Sequence, residues 1–251
     1  MKLDVLAVAA HPDDVELCAG GTVCSLVDQG HKVGIVDCTR GELGSRGSVE
    51  IRDKETEAAS RIMGISVRYN LQLADGYVTN DRKSREPLME IIRRHQPTII
   101  LANAPVCRHP DHCAAAELAV SASFFSGLSK IQLFEPDGIA LEPWRPSHIL
   151  HYMQSVSFEP DIVVDVSRVW DQRMEALLAY RSQFYNADYH DTAGEGHTFV
   201  SNPDFLKWVE SRARTFGYPR GFTYGEPFQY RNGPIGVMNL MTMLGGDRDY
   251  V

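Results

Sequence analysis

Nowhere in the 251 residues is there an uninterrupted apolar run approaching the roughly 18 that a membrane helix needs. The first apolar stretch carries only Lys2 ahead of it and is broken by Asp4 and by His11-Pro12-Asp13-Asp14, which makes a poor signal peptide. Basic residues are in deficit. Lys and Arg number 25 against 33 Asp and Glu, and the net charge of −8 speaks against a nucleic-acid partner held on a broad basic surface. The five cysteines are odd in number and lack any CxxC spacing, so they fit reduced thiols of a cytoplasmic protein and not a disulfide framework. No GxGxxG follows the first apolar run, so the phosphate-cradling turn of a nucleotide-binding module is missing. Solenoid-period repeats and low-complexity tracts are absent too.

What is there is an ordinary globular composition, 43% hydrophobic and 23% charged. The length suits one domain over 1–251, with a core over 1–168 and an extension of the same domain over 169–251. Strand and helix patterns alternate. Strands are predicted at Leu3–Ala10, His31–Cys38, Val67–Leu73, Thr98–Asn103, His148–Met153 and Asp161–Val166. Helices are predicted at Val15–Gln29, Ile51–Met63, Glu86–His95, His112–Phe125, Val169–Phe184 and Pro203–Phe216. This alternation implies an α/β fold: a Rossmann-like, doubly wound, mainly parallel sheet with helices on both faces, and an α+β extension at the C-terminus. Between the last two helices lies a polar, Gly-containing loop whose Tyr185, His190 and His197 read as surface residues. "GFTYGEPFQY" reads as a late strand with a turn, and the apolar tail segment Ile235–Leu244 as a candidate for subunit contacts.

Two apolar runs end alike. Val5–Ala10 runs into His11-Pro12-Asp13-Asp14, and Thr98–Ala102 is followed by Arg108-His109-Pro110-Asp111-His112. In a doubly wound sheet the first and fourth strands commonly lie side by side where the winding reverses, and ligands bind beyond their carboxyl ends. Both clusters therefore face one crevice. Proline biases each preceding histidine to extended backbone and suits a first helical position, which sets Asp13, Asp14 and His112 at helix starts. An aspartate there is ordinarily a cap, but two such clusters at one topological position are better explained by a metal. Two imidazoles and a carboxylate with a fourth position open make a catalytic zinc set. An aspartate and a histidine are among those left over, as amide hydrolysis requires. Composition does not distinguish Asp13 from Asp14. Cys107, beside the second cluster, reads either as a further ligand or as a small buried apolar residue.

The motifs resemble those of the LmbE/PIG-L family of zinc-dependent N-acetylglucosamine deacetylases. The resemblance covers most of the chain: "AHPDDVE" with Gly20-Gly21-Thr22, "DCTRGELGSRGSVEIRDKETEAASRIMGI", "LQLADG", "RHPDH", "SQFY" and "ARTFGYPRGFTYGEPF". It implies that His11, Asp14 and His112 hold one zinc per chain, with Fe²⁺ or another divalent ion as the alternative load. It implies that Asp13 is the general base, and that His109 stabilises the tetrahedral intermediate or protonates the amine, with Asp111 orienting it. Arg52 and Asp75 would grip sugar hydroxyls, and Arg108 would meet an anionic aglycone. The plainer alternatives are an Arg52 paired with Glu50 or Glu55 on its own helix and an Asp75 that serves only the turn before Gly76. The stretch around Ser182-Gln183-Phe184 most resembles the bacillithiol-biosynthesis deacetylases, which act on N-acetylglucosaminyl malate. Other acylated amino sugars, diacetylchitobiose or a nucleotide- or lipid-linked one, are the rival substrates. The resemblance also implies a small amino-sugar as the partner and a homo-oligomer, on the pattern of a hexamer.

Overall fold

A computed structural model describes residues 1–189 and 196–237. Among them seven strands form one sheet: β1 (Val5–Ala9), β2 (Val33–Asp37), β3 (Val67–Asn70), β4 (Ile99–Ala102), β5 (His148–Tyr152), β6 (Ile162–Asp165) and β7 (Gly225–Tyr230). They lie in the order β3-β2-β1-β4-β5-β7-β6. The first five pair in parallel, and β7 runs antiparallel to both β5 and β6. The helices are α1 (Asp14–Cys18), α2 (Gly20–Asp28), α3 (Val49–Met63), α4 (Arg82–His95), α5 (Pro110–Phe125), α6 (Trp170–Leu178) and α7 (Pro203–Gly217). None of the described helices is long and apolar enough to cross a membrane.

The first strand anchors both layers. Val5, Ala7 and Ala9 pack with Val23 of α2, Met63 of α3 and Leu177 of α6, whereas Leu6 and Val8 pack with Leu88 of α4 and Leu118 of α5. Successive side chains of a strand point to opposite faces. With helices on both, every position of β1 is buried, which is why the sequence there is a continuous apolar run and not an alternation. Each fully buried valine or leucine contributes about 1.5–3 kcal/mol. The doubly wound α/β architecture expected from the sequence is the one observed, and β1 lies against β4 with Val5 opposite Ile99.

Several boundaries differ from expectation. The helix expected over Val15–Gln29 is two helices, parted at Ala19, whose backbone (φ −140°) leaves the helical region. The break lets Gly20-Gly21 press against the C-terminal part of the fold, where a Cβ on Gly21 would sit 2.7 Å from Val166 Cβ. There Glu226 of β7 accepts hydrogen bonds from Gly21 N at 2.9 Å and from Thr22 N and Oγ1 at 2.7 Å each, capping α2 from a residue 204 positions away. The helix expected over Val169–Phe184 is a short 3-10 turn followed by α6 and stops at Leu178. Ser182 is instead drawn onto Glu55 of α3 by two 2.7 Å bonds, from its amide and its hydroxyl. β3 ends at Asn70, before Gln72 turns left-handed (φ 55°) and donates its amide to the Asn70 side chain. α4 starts at Arg82, not Glu86, because Asp81 caps it by accepting from Ser84 N at 2.9 Å; Pro87 lies inside it. Pro12 stands ahead of α1, not as its first residue, and Asp13 takes the cap position. Tyr185 and His197 are exposed. His190 and most of Ile235–Leu244 lie outside the described residues.

Candidate active site

The site is built where β1 and β4 end together. Asp13 occupies the turn between β1 and α1 in a left-handed conformation, φ 105°, with no side-chain cap bond. That backbone costs a residue with a Cβ about 1–2 kcal/mol. On the other strand, His109 caps α5: its Nδ1 accepts from Asp111 N at 3.3 Å, and Pro110 takes the first helical position.

Asp14 is the node. Its Oδ2 accepts from His11 N at 3.1 Å and from Asn103 Nδ2 at 3.0 Å; its Oδ1 accepts from Gln154 Nε2 at 3.1 Å. Asn103 and Gln154 follow β4 and β5, so the ends of three adjacent strands fix one carboxylate. His112 Nε2 lies 3.2 Å from Asp14 Oδ1 and His11 Nδ1 lies 3.7 Å from Oδ2. The opposite nitrogen of each ring is held from behind. His11 Nε2 meets Asp75 Oδ1 at 3.1 Å and Asp111 Oδ2 at 3.4 Å, and His112 Nδ1 meets Cys107 Sγ at 3.0 Å. Protonated at Nε2, His11 presents an open Nδ1 lone pair beside Asp14. Holding the far nitrogen in this way is how metal-ligating histidines are oriented.

The charges follow. Burial pulls His11 and His112 toward neutrality, but their carboxylate partners outweigh it. His11 is held well above the ordinary histidine range, and His112 is raised to about 9. Burial opposes ionisation of Asp14, yet His112 and His11 hold it well below the ordinary carboxylate range. Two protonated imidazoles crowded on one carboxylate are what a divalent cation would replace, releasing both protons. The donor set thus fits a metal. Among the described residues, two groups of donor atoms lie within 4.8 Å of one another: the imidazoles of His11, His109 and His112, and His11 with Asp75 and Asp111. In the second group the carboxylates also serve backbone amides, Asp75 that of Leu43 at 2.8 Å and Asp111 that of Gly76 at 2.7 Å.

Asp13 is different. Burial raises it to about 7, against the pull of Arg52, whose Nη1 lies 3.5 Å from Asp13 Oδ2 and donates to Pro12 O at 3.1 Å. Arg52 is 6% exposed and sits beneath Gly41 and Gly44, where a Cβ would come within 2.9 and 3.0 Å of its guanidinium. The surface pairing with Glu50 or Glu55 is therefore not what forms. Burial pushes His109 below the usual histidine range, with His11 and His112 acting in the same direction.

Every residue given a role by the family resemblance, except Asp111, lines one cavity of about 250 Å³; Asp111 stands behind His11. Asn103 and Gln154, which grip Asp14, escaped sequence reasoning; the one signal was a lone polar residue just past each apolar strand. Cys107 is neither a small buried apolar residue nor a member of either donor group; it is half-buried against His112.

The PIG-L family, described as GlcNAc-PI de-N-acetylase, matches residues 6–123. A probable N-acetyl-alpha-D-glucosaminyl L-malate deacetylase 2 of Bacillus cereus is 31% identical over 225 residues, covering 84% of this chain and 96% of that protein. The chain belongs to the PIG-L family. A second relative, diacetylchitobiose deacetylase of Thermococcus kodakarensis, is 30% identical over 195 residues, 72% of this chain and 70% of its own. A conserved protein of Thermus thermophilus, solved by crystallography, superposes with a TM-score of 0.80 at 36% identity, covering 94% of this chain and 98% of that one. The matched PIG-L segment contains both histidine-aspartate clusters.

Proposed function

We propose that the chain is a divalent-metal-dependent deacetylase of N-acetylglucosamine conjugates. The observation that carries this is the pair of imidazole nitrogens, His11 Nδ1 and His112 Nε2, gathered on Asp14 beside a separate carboxyl raised to about 7. His11, Asp14 and His112 are the proposed ligands, and zinc the proposed metal. Bound there, the metal supplies Lewis acidity to the acetyl carbonyl and brings the pKa of water toward ~7. Asp13 takes the proton from the attacking water on a carboxylate oxygen, its raised pKa suiting a base near neutrality. His109 accepts the Asp111 amide at Nδ1, so its neutral ring carries hydrogen at Nε2. That tautomer favours donating a hydrogen bond to the developing oxyanion over protonating the amine. Asp13 then returns its proton to the nitrogen as the C–N bond breaks, leaving acetate and a free glucosamine amine. Arg52 holds the Asp13 turn, and Asp75 and Asp111 hold His11.

For the conjugate, N-acetylglucosaminyl malate is the proposed substrate and diacetylchitobiose the alternative, in keeping with relatives of nearly equal identity. Arg108, exposed at the cavity rim with its guanidinium stacked on Phe199, is the proposed carboxylate contact. The test is metal analysis of the purified protein together with release of free amine from the malate conjugate, free N-acetylglucosamine and diacetylchitobiose. The malate conjugate is expected to have the highest kcat/KM, and Arg108→Ala to erode that lead. Absence of bound metal and of amine release from all three would overturn the proposal.

A further inference from the structure

A second cavity, of about 50 Å³, opens beside the first and shares Asp14, Leu17, Arg108, His112 and Val200 with it. Its other walls are Cys18, Phe199, Phe205 and Trp208. Apart from Arg108, whose guanidinium lies on the Phe199 ring, the polar side chains that border it are already engaged. Gln154 Nε2 is on Asp14, Ser155 Oγ is on Cys107 and the Arg108 amide, and Arg212 Nη1 donates to Gln154 O at 2.8 Å while its guanidinium covers the Trp208 ring. The cavity therefore offers an occupant mainly apolar surface, with the Arg108 guanidinium where it meets the large cavity. A sugar gains nothing from such walls, because burying hydroxyls without partners costs free energy, and a carboxylate would find only Arg108, which the large cavity reaches as well.

Orientation decides which end of the substrate enters. Asp13, which returns the proton to the leaving nitrogen, lines only the large polar cavity, as do Arg52 and Asp75. The nitrogen and its sugar therefore lie there. The scissile carbonyl, at Asp14 and His112, then turns its alkyl substituent toward the cavity that shares those two residues. The geometry points to an acyl pocket that takes a short linear acyl chain longer than acetyl, an assignment that rests on the amide-hydrolase reading above. One water occupies roughly 10–15 Å³ on this measure, so there is room for about three or four such groups. Acetyl leaves most of that empty, whereas butyryl fills it.

The test fixes the aglycone and varies the acyl group across N-acetyl, N-propionyl and N-butyryl glucosamine conjugates. Each added methylene is expected to raise kcat/KM about fourfold, from the ~0.8 kcal/mol that a buried methylene contributes. A fall in kcat/KM from acetyl to propionyl overturns the acyl pocket while leaving the deacetylase intact. Failure to hydrolyse any member, acetyl included, counts against the deacetylase itself. A second measurement is independent of turnover. Tryptophan fluorescence of the metal-free protein, with Trp208 in the pocket wall, is expected to report N-butyrylglucosamine binding about 15-fold more tightly than N-acetylglucosamine. Affinities that follow the aglycone and ignore the acyl length would assign the cavity to the other end of the substrate and refute the proposal. Trp208→Ala, which removes one of the aromatic walls, should shift the optimum toward hexanoyl. If that variant does not fold, the wild-type series still decides.

Discussion

Replacing Asp13 by asparagine should make the protein slower and more stable at once. The side chain is only 18% exposed, and its carboxyl is raised from 3.8 to about 7, first by burial. A folded-state pKa above the unfolded one means that ionisation weakens the fold. The contribution is favourable below about pH 4 and is lost as pH rises through 7. At about 1.4 kcal/mol per unit, the full loss approaches 4 kcal/mol above pH 8. Asparagine removes the charge and tolerates the left-handed backbone at φ 105°, but it still buries an amide, so about 2 kcal/mol should be recovered. Urea denaturation of the metal-free wild type and variant should show that gain at pH 8 and almost none at pH 5.5, where only about half of the ionisation loss has developed and the amide's own burial cost offsets it. The metal-loaded variant should keep its metal and lose roughly 10²–10⁴ in kcat, the usual worth of a positioned base. No stabilisation at pH 8, or an equal gain at both pH values, would refute the assignment of a buried, strained carboxylate. Undiminished turnover would remove Asp13 from the chemistry.

Asp14→Asn should lose metal along with activity, because the charge gathered between the two imidazoles is gone; atomic emission showing one equivalent still bound would reverse the roles of the two aspartates. Asp111→Asn should weaken metal binding by roughly 10–100-fold in a chelator competition, as losing an outer-shell partner commonly does, and an unchanged affinity would leave Asp111 as a loop cap on Gly76 alone. Arg68 bridges Asp37, at 2.7 and 2.9 Å, and Glu16, at 2.6 Å, beneath the β1–α1 turn. Arg68→Met strands two buried carboxylates and should cost about 3–5 kcal/mol, lowering Tm by about 6–20 °C; a loss under 1 kcal/mol would mean that the network contributes little.

The doubled histidine-aspartate motif was readable because each copy interrupts an apolar run, and strand adjacency at the switch point then follows from topology. Expecting Val15–Gln29 as one helix failed for a physical reason. The apolar period continues across Ala19, and the break is imposed by a partner more than 200 residues on. The late strand was legible as a strand, but its antiparallel insertion between β5 and β6 was not, since pairing partners leave no local trace. Helical spacing alone left Arg52 open to a surface pairing with Glu50 or Glu55; its burial depends on a glycine loop folding over it. Asn103 and Gln154 carry no motif at all. Single amides after strands acquire meaning only once Asp14 is seen between them.

The long-range cap on α2 bears on how the protein is made. Gly21 and Thr22 leave the ribosome early, but the carboxylate that satisfies them is supplied by Glu226. At about 5–20 residues per second, the 204 intervening positions take roughly 10–40 seconds to synthesise. During that interval the helix beside the aspartate pair has its first amides open to water or to any other acceptor. A ribosome stalled before β7 would therefore carry both histidine-aspartate clusters and lack the carboxylate that caps the neighbouring helix.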